Sequence, residues 1–463
     1  MDSRQVSIPS ARLWPFALAV LAVQLPLVLN PGYFSHDELQ WLARSATPDW
    51  ASLPWSGWFD FSPFQFRPLT FNLWLVLSRL LGTRPMAMHA VFVLIGSGNA
   101  WLLRAVLCRL GAGPRHAGGA VLLFVLSSYV VSVHGWVGTL ADLLCLAAVL
   151  GALLWLCRRG TRAVMPSASH IAGVALTDML PVAALSWLAL CCKESAVVLP
   201  ALLLCAWPCR GRRLLPAIAA SGAVVLAYLL LRADVILFAP RTAGIYTWHL
   251  TNVPARSLDY ALFPFVPQMN DVVAMRLLAG WRLWLALACV LTLVGVAART
   301  GWRRPLMLGI GWLAALGPVL ILDGASNVYA YLASAFVCGA FALWMPDLGR
   351  PARFMLAVPV LVGIIHGAQI ARGLQRVGHL QERLCADLVI LLREPATPMP
   401  MRIRADSARD EEILRRLLHD VPSYAGVPID GRVTVVSRNE PELPATHRMD
   451  GDGALTAIPA TPP

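Results

Sequence analysis

Apolar runs long enough to cross a bilayer recur along this chain, and short polar breaks separate them. A helix that crosses the hydrocarbon core needs about 20 predominantly apolar residues. On that measure spans are expected near residues 13–30, 85–109, 117–134, 137–157, 171–192, 195–209, 214–232, 281–298, 306–322, 328–346 and 354–371. The first run follows Arg4 and Arg12 and lacks a small-residue cleavage site, which reads as an uncleaved first span. The stretch RPLTFNLWLVLSRLLG (67–82) is apolar but short, and a crossing there would invert every later loop. It reads as a re-entrant or interfacial helix on the outer face, with an ordinary span as the alternative. The pattern therefore predicts an all-α polytopic membrane protein with about eleven transmembrane helices, its membrane domain covering residues 1–371.

After residue 371 the pattern changes. LQRVGHLQERLCADLVILL reads as an amphipathic helix, and REPATPMPM is a Pro-rich break. MRIRAD and GRVTVVS suggest strands on either side of a capped helix at SARDEEILRRLLHDV. These elements predict a small extracytoplasmic C-terminal α/β region over 372–445, followed by a disordered tail at 446–463. No long internal repeat is visible, so the inverted-repeat signature of secondary transporters is not evident.

Composition agrees with a membrane protein. Hydrophobic residues make up 57% of the 463 positions and charged residues only 14%, against about 25% in ordinary soluble domains. A net charge of +12 invites a nucleic-acid partner, but the arginines cluster between apolar runs, as cytoplasmic loops require. With the N-terminus cytoplasmic, the loops around Arg104/Arg109/Arg115, Arg158/Arg159/Arg162, Arg210/Arg212/Arg213, Arg299/Arg303/Arg304 and Arg350/Arg353 all fall inside. Loops 31–67, 134–136, 193–194, 233–280 and 323–327 fall outside. The partner this implies is the bilayer of a cell (inner) membrane, not a nucleic acid. The ten cysteines lie mostly within apolar runs without a paired CxxC motif and read as packing residues. The sequence demands neither a metal nor another cofactor.

The candidate chemistry sits in the outer loops. PGYFSHDELQWLARS places His36, Asp37 and Glu38 just beyond the first span. Ser35 and Glu38 match a capping box; alternatively a carboxylate here serves as general base toward an acceptor hydroxyl. Arg67 stands where the outer loop re-enters the membrane, suited either to snorkelling or to a bidentate phosphate contact. His134 and Asp142 lie near the outer ends of adjoining spans, where an aspartate entering an apolar helix usually faces a cavity or a partner. His89 is either a substrate-side or a hydrogen-bonded core histidine. Lys193 is the only lysine in the chain, and Glu194 follows it at a tight outer turn. The pair forms a polar hairpin tip, a structural ion pair, or a site for a lipid-linked phosphate. Tyr329 and Tyr331, after Asp323 and Asn327, are interfacial anchors or substrate-lining residues.

Taken in order, FSHDEL, FRPLTFNLW with MHAVFVLIGSGNAWLL, VHGWVGTLADLL, LALCCKESAVVLPALLL and NVYAYLASAF resemble the GT-C superfamily of polytopic glycosyltransferases. Within it they are most similar to the branch of the protein O-mannosyltransferases and the TMTC-type membrane mannosyltransferases. The resemblance covers roughly residues 13–345. It implies a sugar donor on a polyprenyl phosphate, transferred with inversion to a glycan, lipid or protein acceptor on the periplasmic or extracellular side. It further implies Asp37, with Glu38 beside it, as catalytic carboxylate, and Arg67 and Lys193 at the donor phosphate. Asp142, His134, Glu194, His89, Tyr329 and Tyr331 would then lie on the substrate side. Where the family pattern carries a Glu-Arg pair before the tyrosines, this chain reads SNVYAY, the first loop has Asp-Glu instead of Asp-Asp, and no tetratricopeptide repeats follow. A lipid-linked sugar transporter or flippase, and a catalytically inactive scaffold of the same descent, are the alternative readings.

Overall fold

Apolar segments in lipid must satisfy their backbone groups internally, and here they do so as helices. The computed structural model describes residues 14–46, 55–159, 168–238, 247–272, 275, 278–299, 301–439 and 444–459. Arg4, Arg12 and Arg162, used above for orientation, lie outside the described residues, as do positions 47–54 and 239–246 of the outer loops.

The chain begins with α1 (Trp14–Ala22), α2 (Leu25–Val28), α3 (His36–Arg44), α4 (Pro68–Leu81) and α5 (Pro85–Arg109). Next come α6 (Pro114–Leu126) and α7 (Ser128–Gly135), which meet at a 63° bend, then α8 (Leu140–Arg159) and α9 (Ala168–Cys192). Short helices α10 (Leu199–Leu202) and α11 (Trp207–Arg210) alternate with 3-10 turns before α12 (Leu215–Leu231) and α13 (Ala233–Phe238). The apolar part closes with α14 (Val253–Leu262), α15 (Trp281–Ala298), α16 (Arg303–Leu316), α17 (Tyr331–Trp344), α18 (Arg350–Met355) and α19 (Ala357–Arg393).

Among the described residues, seven helical stretches are long and apolar enough to cross a membrane, or eight if α6 and α7 form one bent span. This is a multi-pass membrane protein, but the expected eleven spans are not reached by that measure. The physical reasons are local. The first run breaks between α1 and α2, where the polar Gln24 precedes Pro26. The apolar part of α9 with described side chains, Met179–Cys192, is too short. Runs 195–209 and 214–232 join one helical stretch, Glu194–Leu231.

The arginine loops gather at one end of the bundle. Cys209 Sγ donates to Arg109 O (3.5 Å), Arg210 Nε to Leu156 O (2.8 Å), and Arg304 pairs with Asp347. At the opposite end of α5, His89 Nε2 bonds Gly32 O (2.9 Å) in the first loop. Helix α4 starts at Arg67, which pairs with Glu194, and ends at Gly82, whose carbonyl accepts from Tyr33 Oη (2.7 Å). Both ends of α4 thus stay at the first-loop end.

Helix α19 does not stop at residue 371. Its 37 residues amount to about 55 Å, well beyond a hydrocarbon core of about 30 Å, so the amphipathic segment continues the last apolar helix. It carries the C-terminal sheet formed by β1 (Met401–Ala405), β4 (Val433–Val435), β5 (His447–Met449) and β6 (Leu455–Ala457), in the order β4-β1-β5-β6. Between β1 and β4 lie α20 (Ala408–Leu418) and a small hairpin, β2 (Ser423–Tyr424) with β3 (Val427–Pro428). Strand β1 runs parallel to β4 and β5, while β5 and β6 are antiparallel. The expected strands and capped helix are present, and Ser407 Oγ accepts from Asp410 N (3.1 Å) at the helix start.

The expected disordered tail is corrected here, because residues 447–457 form a β-hairpin. Its turn is Asp450-Gly451-Asp452-Gly453, with Asp450 Oδ1 accepting from Asp452 N and Ala454 N, both at 2.9 Å. Gly453 has φ +91°, and a Cβ there would come within 2.4 Å of Leu380 O. The turn therefore sits directly on α19.

A second close approach joins α19 to the first loop. A Cβ on Gly32 would lie 2.1 Å from Gly378 O, and a Cβ on Gly98 would meet nothing within 4 Å. Gly32→Ala is expected to cost about 1–3 kcal/mol by overpacking, seen as a lower melting temperature in detergent, whereas Gly98→Ala leaves the melt unchanged or raised. Equal melts for the two variants would contradict this packing.

Candidate active site at the first-loop end

The strap Asn30–Tyr33 places the acidic motif. Asn30 Nδ2 donates to Leu374 O (3.3 Å), and Tyr33 N donates to Gln381 Oε1 (2.9 Å), both on α19. Ser35 then caps α3, and its backbone N–H donates to Glu38 Oε2 (3.1 Å) to complete a capping box. Glu38 is only 3% exposed, and its second carboxyl oxygen has no partner. Burial, with the Asp37 carboxylate as a smaller cause, pushes its pKa up to about 8. Glu38 is thus a buried acid that fixes the helix start.

Asp37 points to the surface, with its side chain 37% exposed and His36 Nε2 3.3 Å away. Partial burial raises its pKa above the usual carboxylate value, while His36, Arg44, Arg67 and His419 pull it down. Arg67 is therefore close enough to act on Asp37. The C-terminal region covers the same helix: His36 Nδ1 bonds Arg416 O (3.0 Å), Gln40 donates to His419 O (3.0 Å), and the Arg416 guanidinium lies 4.1 Å from the centre of the Phe34 ring.

Across from α3, Lys193 and Glu194 join three helices. Lys193 has extended backbone (φ −157°, ψ 137°) between α9 and a 3-10 turn. Successive side chains in extended chain point apart, and these two meet different partners. Lys193 Nζ pairs with Asp142 Oδ1 on α8, with only 7% and 10% of the side chains exposed. Arg67, at the start of α4, grips Glu194 Oε2 through Nε (2.8 Å) and Nη2 (2.7 Å). The Lys193 ammonium also lies 5.2 Å from the Tyr329 ring centre, within range of a cation–π contact. Arg67, Asp142, Lys193, Glu194 and Tyr329 are brought together, with Asp37 within electrostatic reach of Arg67.

Other expected residues lie elsewhere. His134 is fully buried, bonds Tyr331 Oη through Nε2 (2.8 Å) and contacts Gln24 through Nδ1. Asn99 Nδ2 donates to the same Tyr331 hydroxyl (3.3 Å). His89 is fully buried against Gly32 O. These groups fasten helices to one another and present no open face to a substrate. Asn327 donates to Asn270 O (2.8 Å) and Ser132 Oγ (3.3 Å) and accepts from Val272 N (2.9 Å). A cavity of about 760 Å³ elsewhere in the bundle contains none of Asp37, Arg67, Asp142 or Lys193 in its wall.

One positioning residue was missed. Arg232, 2% exposed, donates through Nη1 to Phe61 O (2.7 Å) and Pro63 O and through Nη2 to Phe64 O (2.7 Å). It thereby fixes the chain just before Arg67. Its sequence signal is an arginine closing the apolar run 214–232. Among the described residues, no group of three His, Cys, Asp or Glu side chains is placed to hold a metal ion.

Because the Lys193–Asp142 pair is buried, Lys193→Met strands a carboxylate and is expected to cost about 3–5 kcal/mol. Lys193→Met with Asp142→Leu removes both charges and recovers most of the loss; calorimetry in detergent reads the difference. If the double variant is no more stable than the single one, the pair is not what the melt senses. Glu38 generates a pH dependence of determined sign. Its folded pKa lies above the unfolded one, so its contribution is complete below about 4.5 and is lost as pH rises through about 8. The melting temperature is expected to fall more steeply between pH 5 and 9 in the native chain than in Glu38→Gln.

No protein-family model matches this chain, nor does any curated protein or solved structure, and the roles of these side chains therefore rest on their chemistry and placement.

Proposed function

We propose that this protein is an inverting glycosyltransferase that moves a sugar from a polyprenyl-phosphate donor onto an acceptor hydroxyl at the first-loop end of the bundle. One observation carries the reading. Two cations, Arg67 and Lys193, are each tied to a carboxylate at one short turn, Arg67 to Glu194 and Lys193 to Asp142, and the charge of Arg67 acts on the half-buried carboxylate Asp37. A transfer of this kind needs a base for the hydroxyl and positive charge for the departing phosphate.

In this scheme Asp37 accepts the hydroxyl proton as the oxygen attacks the anomeric carbon. The bond from that carbon to the phosphate oxygen breaks, and its electron pair leaves with the phosphate. Arg67 exchanges Glu194 for phosphate oxygens, with the fork geometry that such oxygens match, while Lys193 stays paired with Asp142 and contributes its field. Asp37, whose pKa partial burial holds above the ordinary carboxylate value, is a stronger base than a free aspartate. Glu38, raised to about 8, is mostly protonated near neutrality and holds α3 in place. The reading includes eleven crossings. The broken α1–α2 segment and α9 each cross once, and Glu194–Leu231 crosses twice, in at Glu194 and back at Arg232, beside Phe61–Phe64. The first-loop end then faces the periplasm or cell exterior and the arginine loops face the cytoplasm.

A second reading, an inactive scaffold, is favoured by the pairing of Arg67 and Lys193 with carboxylates and by Asn327 in place of an arginine. Asp37→Asn separates the two. In proteoliposomes with a panel of polyprenyl-phosphate hexoses, the variant is expected to lose transfer by about 10²–10⁴-fold, with its melt and donor binding intact. Transfer at the native rate in Asp37→Asn would sink the mechanism, and no transfer by the native chain would favour the scaffold.

A further inference from the structure

The cavity of about 760 Å³ opens between α6, α15, α16, α17 and the start of α19. Its wall is almost wholly apolar, with Leu122, Leu126, Val294, Leu308, Val337 and Ile364 among its residues. Two further wall positions, Gly119 and Gly309, carry no side chain, and a Cβ at either would meet nothing within 4 Å. Arg115 and His116 stand at one end, in the first turn of α6, and Ser127 stands near the other. That distance is twelve residues of helix, or about 18 Å, close to the depth of one leaflet of a core about 30 Å thick.

The charge at the mouth is uncommitted. Arg115 is exposed and makes no hydrogen bond or ion pair among the described residues, whereas Arg304, also at the arginine-rich end, is paired with Asp347. We infer that this groove holds an anionic phospholipid of the surrounding bilayer, with an acyl chain along the apolar wall and the headgroup phosphate on Arg115. An acyl chain leaves no polar group unsatisfied against such a wall. A guanidinium takes two phosphate oxygens at once, and basic positions between apolar helices recognise anionic headgroups. A zwitterionic lipid brings its own cation and gains less from Arg115. The site lies at the end opposite the Lys193–Asp142 pair, and the inference rests on the membrane placement alone, not on the transfer reading.

Native mass spectrometry of the purified full chain, titrated with phosphatidylglycerol or phosphatidylcholine, tests it. The native chain is expected to retain phosphatidylglycerol about tenfold better. Gly119→Phe, which fills the groove, is expected to lose retention of both lipids. Gly309→Phe is the second groove variant, and whichever of the two keeps the native melt decides the question. Arg115→Gln is expected to retain both lipids nearly equally. Equal retention of the two lipids by the native chain, or undiminished retention by a folded groove variant, overturns the site.

Discussion

A charge inside an apolar bundle must find a partner, and that requirement fixes where the ends of α4, α8 and α9 meet. Lys193 and Asp142 leave water together, because either one alone would be buried and uncompensated. The next residue repeats the constraint with Arg67, on an element more than a hundred residues earlier. Extended backbone at Lys193 sends the two side chains apart, so one turn binds two helices without either pair competing for the other's ion. Thr70 Oγ1, donating to Cys192 O (3.0 Å), adds a neutral bond at the same junction. The cluster is nearly charge-neutral, with two cations facing two carboxylates, which suits a site only partly open to water.

The other side of the site is held by a helix that outruns the membrane. Helix α19 binds the first-loop strap through Leu374 and Gln381 and the C-terminal hairpin through Asp387, which accepts from Leu455 N (2.8 Å). It thus places α3 and the C-terminal sheet relative to each other. The end of α20 then closes over α3 by contacts to His36, Gln40 and Phe34. Asp37 is partly buried under this cover, and its raised pKa follows from it. The small C-terminal α/β appendage thus forms a wall of the carboxylate's environment.

The sequence showed those features that depend on neighbours along the chain. Apolar runs predicted the long helices, Ser407 and the acidic residues after it predicted the start of α20, and alternation predicted β1 and β4. The lone lysine marked the junction because a charge within an apolar run is conspicuous in itself. What stayed hidden depends on residues distant in the chain. Strand β5 is three residues long and is stabilised by pairing with β1, 44 residues away; the DGDG turn was its only local signal. The histidines 89 and 134 resembled site residues because hydropathy cannot separate a buried hydrogen-bonding group from one facing a cavity. The helix lengths alone give fewer spans than the apolar runs for a similar reason, since 3-10 turns after Glu194 and a break at Gln24 interrupt helices within the apolar runs.

The ion pairs also bear on how a phosphate could be received. An empty site with two free buried cations would be unstable, because neither would have a counter-charge. Glu194 and Asp142 supply that charge, so under the proposed transfer phosphate binding would be an exchange of one anion for another and not the filling of a positive hole. Such an exchange lowers affinity for the phosphate, since its attraction is offset by the carboxylates it displaces, and it favours release after the bond is broken. The carboxylates differ in how readily they can yield. Glu194 side chain is 29% exposed and that of Asp142 only 10%, so Glu194 can turn to water while Asp142 would remain stranded among apolar helices. Arg67 is therefore the cation freed at the lower cost, and Lys193 contributes its field while keeping its partner.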